Sequence, residues 1–157
     1  MPLNEHTAQN AAIAWLKELG YTHITGNTLD RDLKKVVLET EFKNFLKTTY
    51  PDVPETAHNE AFAQFTQHEG MEVAYRNRDF HRKLTQGLDI AWKDSQGNEK
   101  AKHLYPIDYA HPEKNSFMVS DEVSIVGKNS RRLDLLIFIN GLPLIVFEFK
   151  NPFDSTV

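Results

Sequence analysis

The sequence predicts a mixed α/β (α+β) domain in which helices pack on a central sheet, and three observations predict it. Apolar residues recur at helical spacing through roughly the first half of the chain. From about residue 85 that period gives way to alternation. The two strongest apolar runs, 133–139 and 144–149, then flank an Asn140-Gly141 pair. Helices followed by a run of mostly antiparallel strands have to bury their apolar faces on one another, which gives a layered α/β architecture. On this reading residues 1–84 form a mainly helical part and 85–157 a sheet-forming part of one domain.

The elements follow in order. Residues 4–19 read as an amphipathic helix with Ala8, Ala12, Trp15, Leu16 and Leu19 as its apolar stripe, stopped by Gly20. Residues 21–30 read as a short strand or loop with a Gly26-Asn27 turn. A second helix is expected over 31–49, on the stripe Leu33, Val36, Val37, Phe42, Phe45 and Leu46, and Pro51 and Pro54 end it. A third is expected over 55–69, with Ala57, Ala61, Phe62 and Phe65 on one face, and a fourth over 71–84. Strands are expected at 86–93, where Leu88, Ile90 and Trp92 alternate, and at 99–108 beyond the turn residues Ser95-Gln96-Gly97-Asn98. A further strand lies within 117–126, followed by the two strong runs. Tyr75 and Trp92 read as core residues.

Composition narrows the function classes. A chain of 157 residues with 40% hydrophobic and 25% charged residues reads as globular and long enough to bury a real core. It has no cysteine, which excludes disulfides and thiolate metal sites and suits a cytoplasmic setting. No signal peptide or membrane span is legible, so no membrane partner is expected. A formal net charge of -4 counts against strong autonomous DNA binding, but a nuclease centre is itself acidic.

The chemistry concentrates around the last hairpin. Asn-Gly between apolar runs is a strong hairpin signal. Pairing through a three-residue loop at 140–142 sets Asp134 opposite Glu148, and opposed Cβ atoms lie roughly 4.5–5.5 Å apart, within reach of one bridging cation. Alternation puts Glu148 and Lys150 on one face. Leu135, Ile137, Ile145, Val146, Phe147 and Phe149 read as buried on both faces, so ionised groups among them would cost several kcal/mol without compensating charge. Groups that costly are functional candidates. Asp134, Glu148 and the Phe149 carbonyl could hold Mg²⁺, which takes hard oxygen ligands and keeps several waters. Lys150 could orient the attacking water and offset charge in the transition state. An Asp with a Glu-x-Lys can also simply tie two strands together.

The surrounding residues carry a resemblance. Asn115-Ser116-Phe117-Met118-Val119, Arg132-Leu133-Asp134, Phe138-Ile139-Asn140-Gly141-Leu142-Pro143-Leu144 and Glu148-Phe149-Lys150-Asn151-Pro152 together resemble the N-terminal nuclease domain of the restriction subunit of type I restriction-modification enzymes. Asn77-Arg78-Asp79-Phe80, Leu84-Thr85-Gln86-Gly87-Leu88 and Trp15-Leu16-Lys17-Glu18-Leu19-Gly20-Tyr21 resemble further blocks of it. The resemblance implies a PD-(D/E)xK restriction-endonuclease-like core, a central mixed sheet flanked by helices, with Asp134 and Glu148 as metal-binding acids and Lys150 as the catalytic lysine. Leu133 stands where the family often has proline. The family's opening helix often carries a glutamate that completes the acidic site; here Gln9 matches it, with Glu5 one turn earlier.

The resemblance further implies Mg²⁺-dependent cleavage of double-stranded DNA, with ATP-driven translocation in domains downstream of this region and with specificity and methylation subunits as partners. The phosphate-loop motif Gly-x-x-x-x-Gly-Lys-Ser/Thr is absent from this chain, in line with that division. A repair or resolvase-type nuclease, or a degenerate nuclease fold used for docking, remain alternatives.

Lys128, Arg131 and Arg132 precede the Asp134 strand as candidate DNA phosphate contacts. Arg76, Arg78, Arg82 and Lys83 read as a solvated helix face rather than a second phosphate site. The histidines show no metal spacing, and His58, His68 and His81 read as surface residues. Asp108, Asp121 and Glu122 are not taken as metal ligands.

Overall fold

The computed structural model describes residues 4–29, 31–67 and 72–150. Its elements are, in chain order, α1 (Glu5–Glu18), β1 (Thr22–Thr25), a 3₁₀ turn (Gly26–Thr28), α2 (Glu39–Thr49), α3 (Glu55–Thr66), α4 (Val73–Gln86), β2 (Leu88–Lys93), β3 (Glu99–Leu104), a second 3₁₀ turn (Pro112–Lys114), β4 (Phe117–Ile125), β5 (Arg131–Ile139) and β6 (Leu142–Phe147). The chain is therefore mixed α/β. Its contacts divide it into two compact units, one of Met1–Leu38 with Ser116–Val157 and one of Glu39–Asn115. The boundary expected near residue 84 falls inside the second unit, where α4 runs on to Gln86.

The first unit is a four-stranded mixed sheet in the order β1-β4-β5-β6. β1 pairs with β4 in parallel, and β4–β5 and β5–β6 are antiparallel. The helix α1 is capped by Asn4, whose Oδ1 accepts the Thr7 N–H at 2.8 Å, and the chain leaves it through Gly20 at φ +94°. It buries Ile13 against Val119, Leu135 and Ile137, with Ala12 and Leu16 beside it. The expected stripe is thus only partly the buried one. Ala12 and Leu16 pack, while Trp15 and Leu19 are 67% and 75% exposed. The buried face centres on Ile13, and at about 100° per residue Trp15 lies roughly 160° and Leu19 roughly 120° around the helix from it.

The other face of the sheet carries Met118, Val123, Leu136 and Phe138 under Leu38, with Leu29 and Val36 packed against them. This cover is irregular, and it corrects the helix expected over 31–49: the helix begins only at Glu39. The backbone bonds of the preceding stretch go elsewhere. Asp32 Oδ1 accepts the Lys34 N–H at 2.9 Å, Val126 donates to the Leu33 carbonyl, and Leu38 donates to the Gly141 carbonyl, both at 2.9 Å. An aspartate that turns its own backbone competes directly with helix formation.

The second unit packs α2 and α3 around Phe42, Leu46, Ala61 and Phe65, all at most 1% exposed, with Phe42 and Phe65 edge to face at 5.7 Å. The β2–β3 hairpin is a separate two-stranded sheet, so the strands do not form one continuous run. α4 has no buried residue, and Tyr75 on it is 55% exposed, which overturns its assignment to the core. Trp92 is half-buried. His58 is 3% exposed, against the surface position expected for it, because it sits on the inner face of α3 and faces the Tyr50 carbonyl at 3.2 Å. His81 is exposed as expected, and His68 lies outside the described residues.

Candidate active site

The β5–β6 turn is shorter than expected, and the register survives for a reason the sequence hides. Asn140 and Gly141 take φ of 51° and 79°. Two consecutive left-handed residues make the tight turn that an Asn-Gly pair favours. Ile139 pairs with Leu142 and Phe138 with Pro143, so the loop has two residues, not the three at 140–142. Such a turn, continued regularly, would set Asp134 opposite Phe147. The register shifts between Ile137 and Phe138, however, so that Ile137 faces Ile145 and Leu135 faces Phe147. Leu144 is the extra residue of a bulge. One step further along this register, Asp134 is level with Glu148.

Asp134 is half-buried near the middle of β5. Its Oδ2 accepts the Phe149 N–H at 2.7 Å, a short charge-assisted bond that ties the aspartate to the Glu148-Phe149-Lys150 backbone. Its carbonyl accepts Gln9 Nε2 of α1 at 3.3 Å. Gln9, the position matched from the opening helix, thus reaches the backbone of Asp134. Glu5 lies one turn earlier, in the exposed first turn of α1.

Glu148 and Lys150 are exposed, and Ile145 and Val146 are 47% and 51% exposed. The expectation of burial holds for Leu135 and Ile137 on β5 and is corrected for Ile145 and Val146: β6 is an edge strand, and Glu148 and Lys150, just beyond it, stand in water. The desolvation cost invoked for them therefore does not apply. What singles the three residues out is placement, not burial.

A third acid lies at the same cross-strand level. Asp121 pairs with Leu135 and Val123 with Leu133, which leaves Glu122 opposite Asp134. Glu122 has φ +52°, a left-handed conformation costing on the order of 1–3 kcal/mol at a non-glycine residue. The 3₁₀ turn after β1 lies against this kink: a Cβ on Gly26 would collide with the Asp121 carbonyl oxygen and stand 2.7 Å from that of Glu122. Gly26 is thus required for close approach. Glu122 Oε1 is 3.6 Å from Arg132 Nη1. The sequence offers Gly26 only as part of a Gly26-Asn27 turn and carries no signal for the kink.

The remaining candidates sort simply. Lys128, Arg131 and Arg132 are all exposed on the approach to Asp134. Asp121 Oδ1 stands 3.2 Å from His23 Nε2. Asp108 is a turn residue: its Oδ1 accepts the His111 and Ala110 N–H groups at 2.9 and 3.1 Å, and the His111 bond above all holds its carboxyl below the usual range. Among the described residues, no three His, Asp or Glu side chains gather into a metal-holding group. Two carboxylates with a backbone carbonyl still suit Mg²⁺, which is commonly held by one or two carboxylates and completes its shell with water.

Residues 2–157 match the family described as type I restriction enzyme R protein N terminus. A protein of Methanocaldococcus jannaschii, named as the MjaIXP endonuclease subunit of a type I restriction enzyme, is 31% identical over 96% of this chain and 15% of its own length. The type I restriction enzyme HindI endonuclease subunit of Haemophilus influenzae is 28% identical over 96% of this chain and 15% of its own. An endonuclease subunit of a type I restriction enzyme from Staphylococcus aureus is 27% identical over 94% of this chain and 15% of its own. The chain thus spans about a seventh of the length of these relatives.

Proposed function

We propose, from the premise that this chain belongs to the type I restriction enzyme R protein N-terminal family, that it is the DNA-cleaving domain of such a subunit and has a PD-(D/E)xK core. The observation that carries the reading is the bulged β5–β6 register, which brings Asp134 level with Glu148 while Phe149 N–H holds Asp134 Oδ2 at 2.7 Å. Asp134 and Glu148, with the Phe149 carbonyl, would hold Mg²⁺. Bound there, the ion supplies Lewis-acid polarisation of a scissile phosphate and a bound water of lowered pKa.

The chain's own residues do the rest. The Phe149 N–H fixes one carboxylate oxygen of Asp134 and so sets the direction of the other. Gln9, by its bond to the Asp134 carbonyl, ties α1 to the β5 backbone at this point. Lys150, two residues beyond Glu148, positions the attacking water by hydrogen bonding and offsets charge developing on the phosphate oxygens. Lys128, Arg131 and Arg132, exposed before and at the start of β5, contact backbone phosphates of double-stranded DNA. The isolated chain, at net charge -4, binds and cleaves DNA weakly. ATP-driven translocation and the specificity and methylation partners belong to the full-length subunit in its complex.

The test is made in that full-length subunit. Asp134→Ala and, separately, Lys150→Ala are assembled into the complex, and Mg²⁺-dependent DNA cleavage and ATP hydrolysis are measured side by side. Cleavage is lost and ATP hydrolysis persists. Cleavage at the parental rate by Asp134→Ala overturns the assignment.

A further inference from the structure

In a chain of net charge -4, the helix α4 carries four arginine and lysine residues against one aspartate. It buries no residue, and polar bonds help to hold it. Lys83 Nζ donates to the Gln64 carbonyl at 2.8 Å and stands 2.6 Å from Asp79 Oδ2. Tyr109 Oη donates to the Leu84 carbonyl at 3.2 Å, and His103 Nε2 faces the Gln86 carbonyl at 2.6 Å. At about 100° per residue the helix sorts into two arcs. Asp79, Phe80, Lys83 and Leu84 share the inner one and are half-buried. Tyr75, Arg78, His81 and Arg82 share the outer one, within about 120° of one another, and all are exposed. The one lysine of α4 is thus turned inward onto Asp79, while these two arginines face water. Arg78 forms no ion pair among the described residues, and Arg82 shares Asp79 with Lys83, its Nη2 lying 2.9 Å from Asp79 Oδ1.

We propose that the outer arc of α4 is a second contact with the backbone of double-stranded DNA, in which Arg78 and Arg82 hold phosphates and the Tyr75 hydroxyl donates beside them. Spacing alone reads the four basic residues as one solvated face; the structure separates an anchoring lysine from two outward arginines. Three features select DNA as the partner. Arg78 and Arg82 are one turn apart, so two guanidinium forks project side by side, and each fork matches a phosphate. Like charges one turn apart weaken a helix, and a bound polyanion removes that repulsion. The outer arc also carries no aliphatic side chain larger than that of Ala74, whereas the core of a protein–protein interface is apolar. The proposal takes its DNA partner from the reading above but not the roles of Asp134, Glu148 and Lys150, and its test involves no cleavage.

The full-length subunit is titrated onto a fluorescein-labelled DNA duplex in EDTA, and anisotropy gives Kd across a series of KCl concentrations. For the double variant Arg78→Gln/Arg82→Gln, the slope of log Kd against log [KCl] falls by about 1 for each arginine removed. Arg78→Lys/Arg82→Lys restores most of that slope. Lys93→Gln/Lys100→Gln removes two exposed charges from the β2–β3 hairpin of the same unit and keeps the parental slope. Phenylglyoxal labelling of the unsubstituted subunit, read by peptide mass, gives the same answer without a variant: the duplex protects Arg78 and Arg82. A parental slope in the arginine-to-glutamine variant overturns the proposal, as do equal loss in the hairpin variant and unprotected arginines. A parental slope combined with weaker assembly with the other subunits overturns it in favour of an acidic protein surface. A parent that binds no duplex at all overturns the DNA-cleaving reading as well.

Discussion

β5 and β6 are neighbours of nearly the same composition, and they live in different solvents. Leu135, Leu136, Ile137 and Phe138 on β5 are all at most 2% exposed, whereas Ile145 and Val146 on β6 are about half exposed. β5 has a strand on each side, α1 on one face and Leu29, Val36 and Leu38 on the other. β6 is at the edge. A run of branched and aromatic residues says that a segment suits a pleated surface; it does not say how many of its sides are covered. The candidate acids straddle this difference, with Asp134 half-buried on the inner strand and Glu148 exposed beyond the outer one.

The contrast is broken most severely at its buried end. Phe138→Ala removes a side chain that is fully buried among Leu38, Met118, Val123 and Leu136, and costs about 3–5 kcal/mol of stability by lost transfer energy and the cavity left behind. Val146→Ala, at 51% exposure, stays within about 0.5 kcal/mol. Urea unfolding of the two variants checks both figures, and similar midpoints would mean that β6 is as well covered as β5.

The turn joining the two strands comes next. Asn140 is fully buried, and its Oδ1 accepts the Ser116 N–H at 2.8 Å. Asn140→Ala strands that donor and replaces a side chain that favours the left-handed region, at φ +51°, with one that does not, a loss of about 1–3 kcal/mol. Asn140→Asp keeps an acceptor and a side chain that tolerates the left-handed region, so at a pH low enough to protonate the buried carboxyl it retains more of the stability; equal losses there would show that the acceptor contributes little. This is also where the sequence was most legible, because Asn140-Gly141 dictates a turn through local chemistry alone. Less of the rest could be read locally. Leu33, Val36 and Val37 mimic a helical stripe, but the backbone near them bonds to Gly141 and Val126, partners about a hundred residues away in sequence. The levelling of Asp134 with Glu148 was anticipated from the wrong loop length, and the bulge at Leu144 supplied the missing residue. The left-handed kink at Glu122, opposite Asp134, has no sequence signal of its own. Trp15 and Leu19 share the helical spacing of Ala12 and Leu16, but spacing alone does not say which part of the stripe the sheet covers.

The smallest effect carries the buried-against-exposed contrast into the second unit, where two histidines titrate in opposite directions. His58 is buried on α3, and burial, outweighing the opposite effect of its bond to the Tyr50 carbonyl, lowers its pKa from the ordinary 6.5. With Nε2–H given to Tyr50, protonation falls on Nδ1, which is buried and has no hydrogen-bond partner among the described residues. His103 is exposed on β3, and its hydrogen bond to the Asp89 carboxylate, then that to the Gln86 carbonyl, raises its pKa above 6.5. The signs follow from which state binds more protons. For His58 the unfolded chain does, so its contribution is complete above pH 6.5 and is lost as the pH falls below it. For His103 the folded chain does, so its contribution is complete below pH 6.5 and is lost as the pH rises through the folded value. Urea midpoints of His58→Gln and His103→Gln, taken against pH and compared with the parent, separate the two. The first variant flattens the acid limb below pH 6.5, and the second flattens the limb above it. Reversed limbs would mean that His58 is solvated in the folded chain and that the Asp89 bond to His103 does not persist in solution.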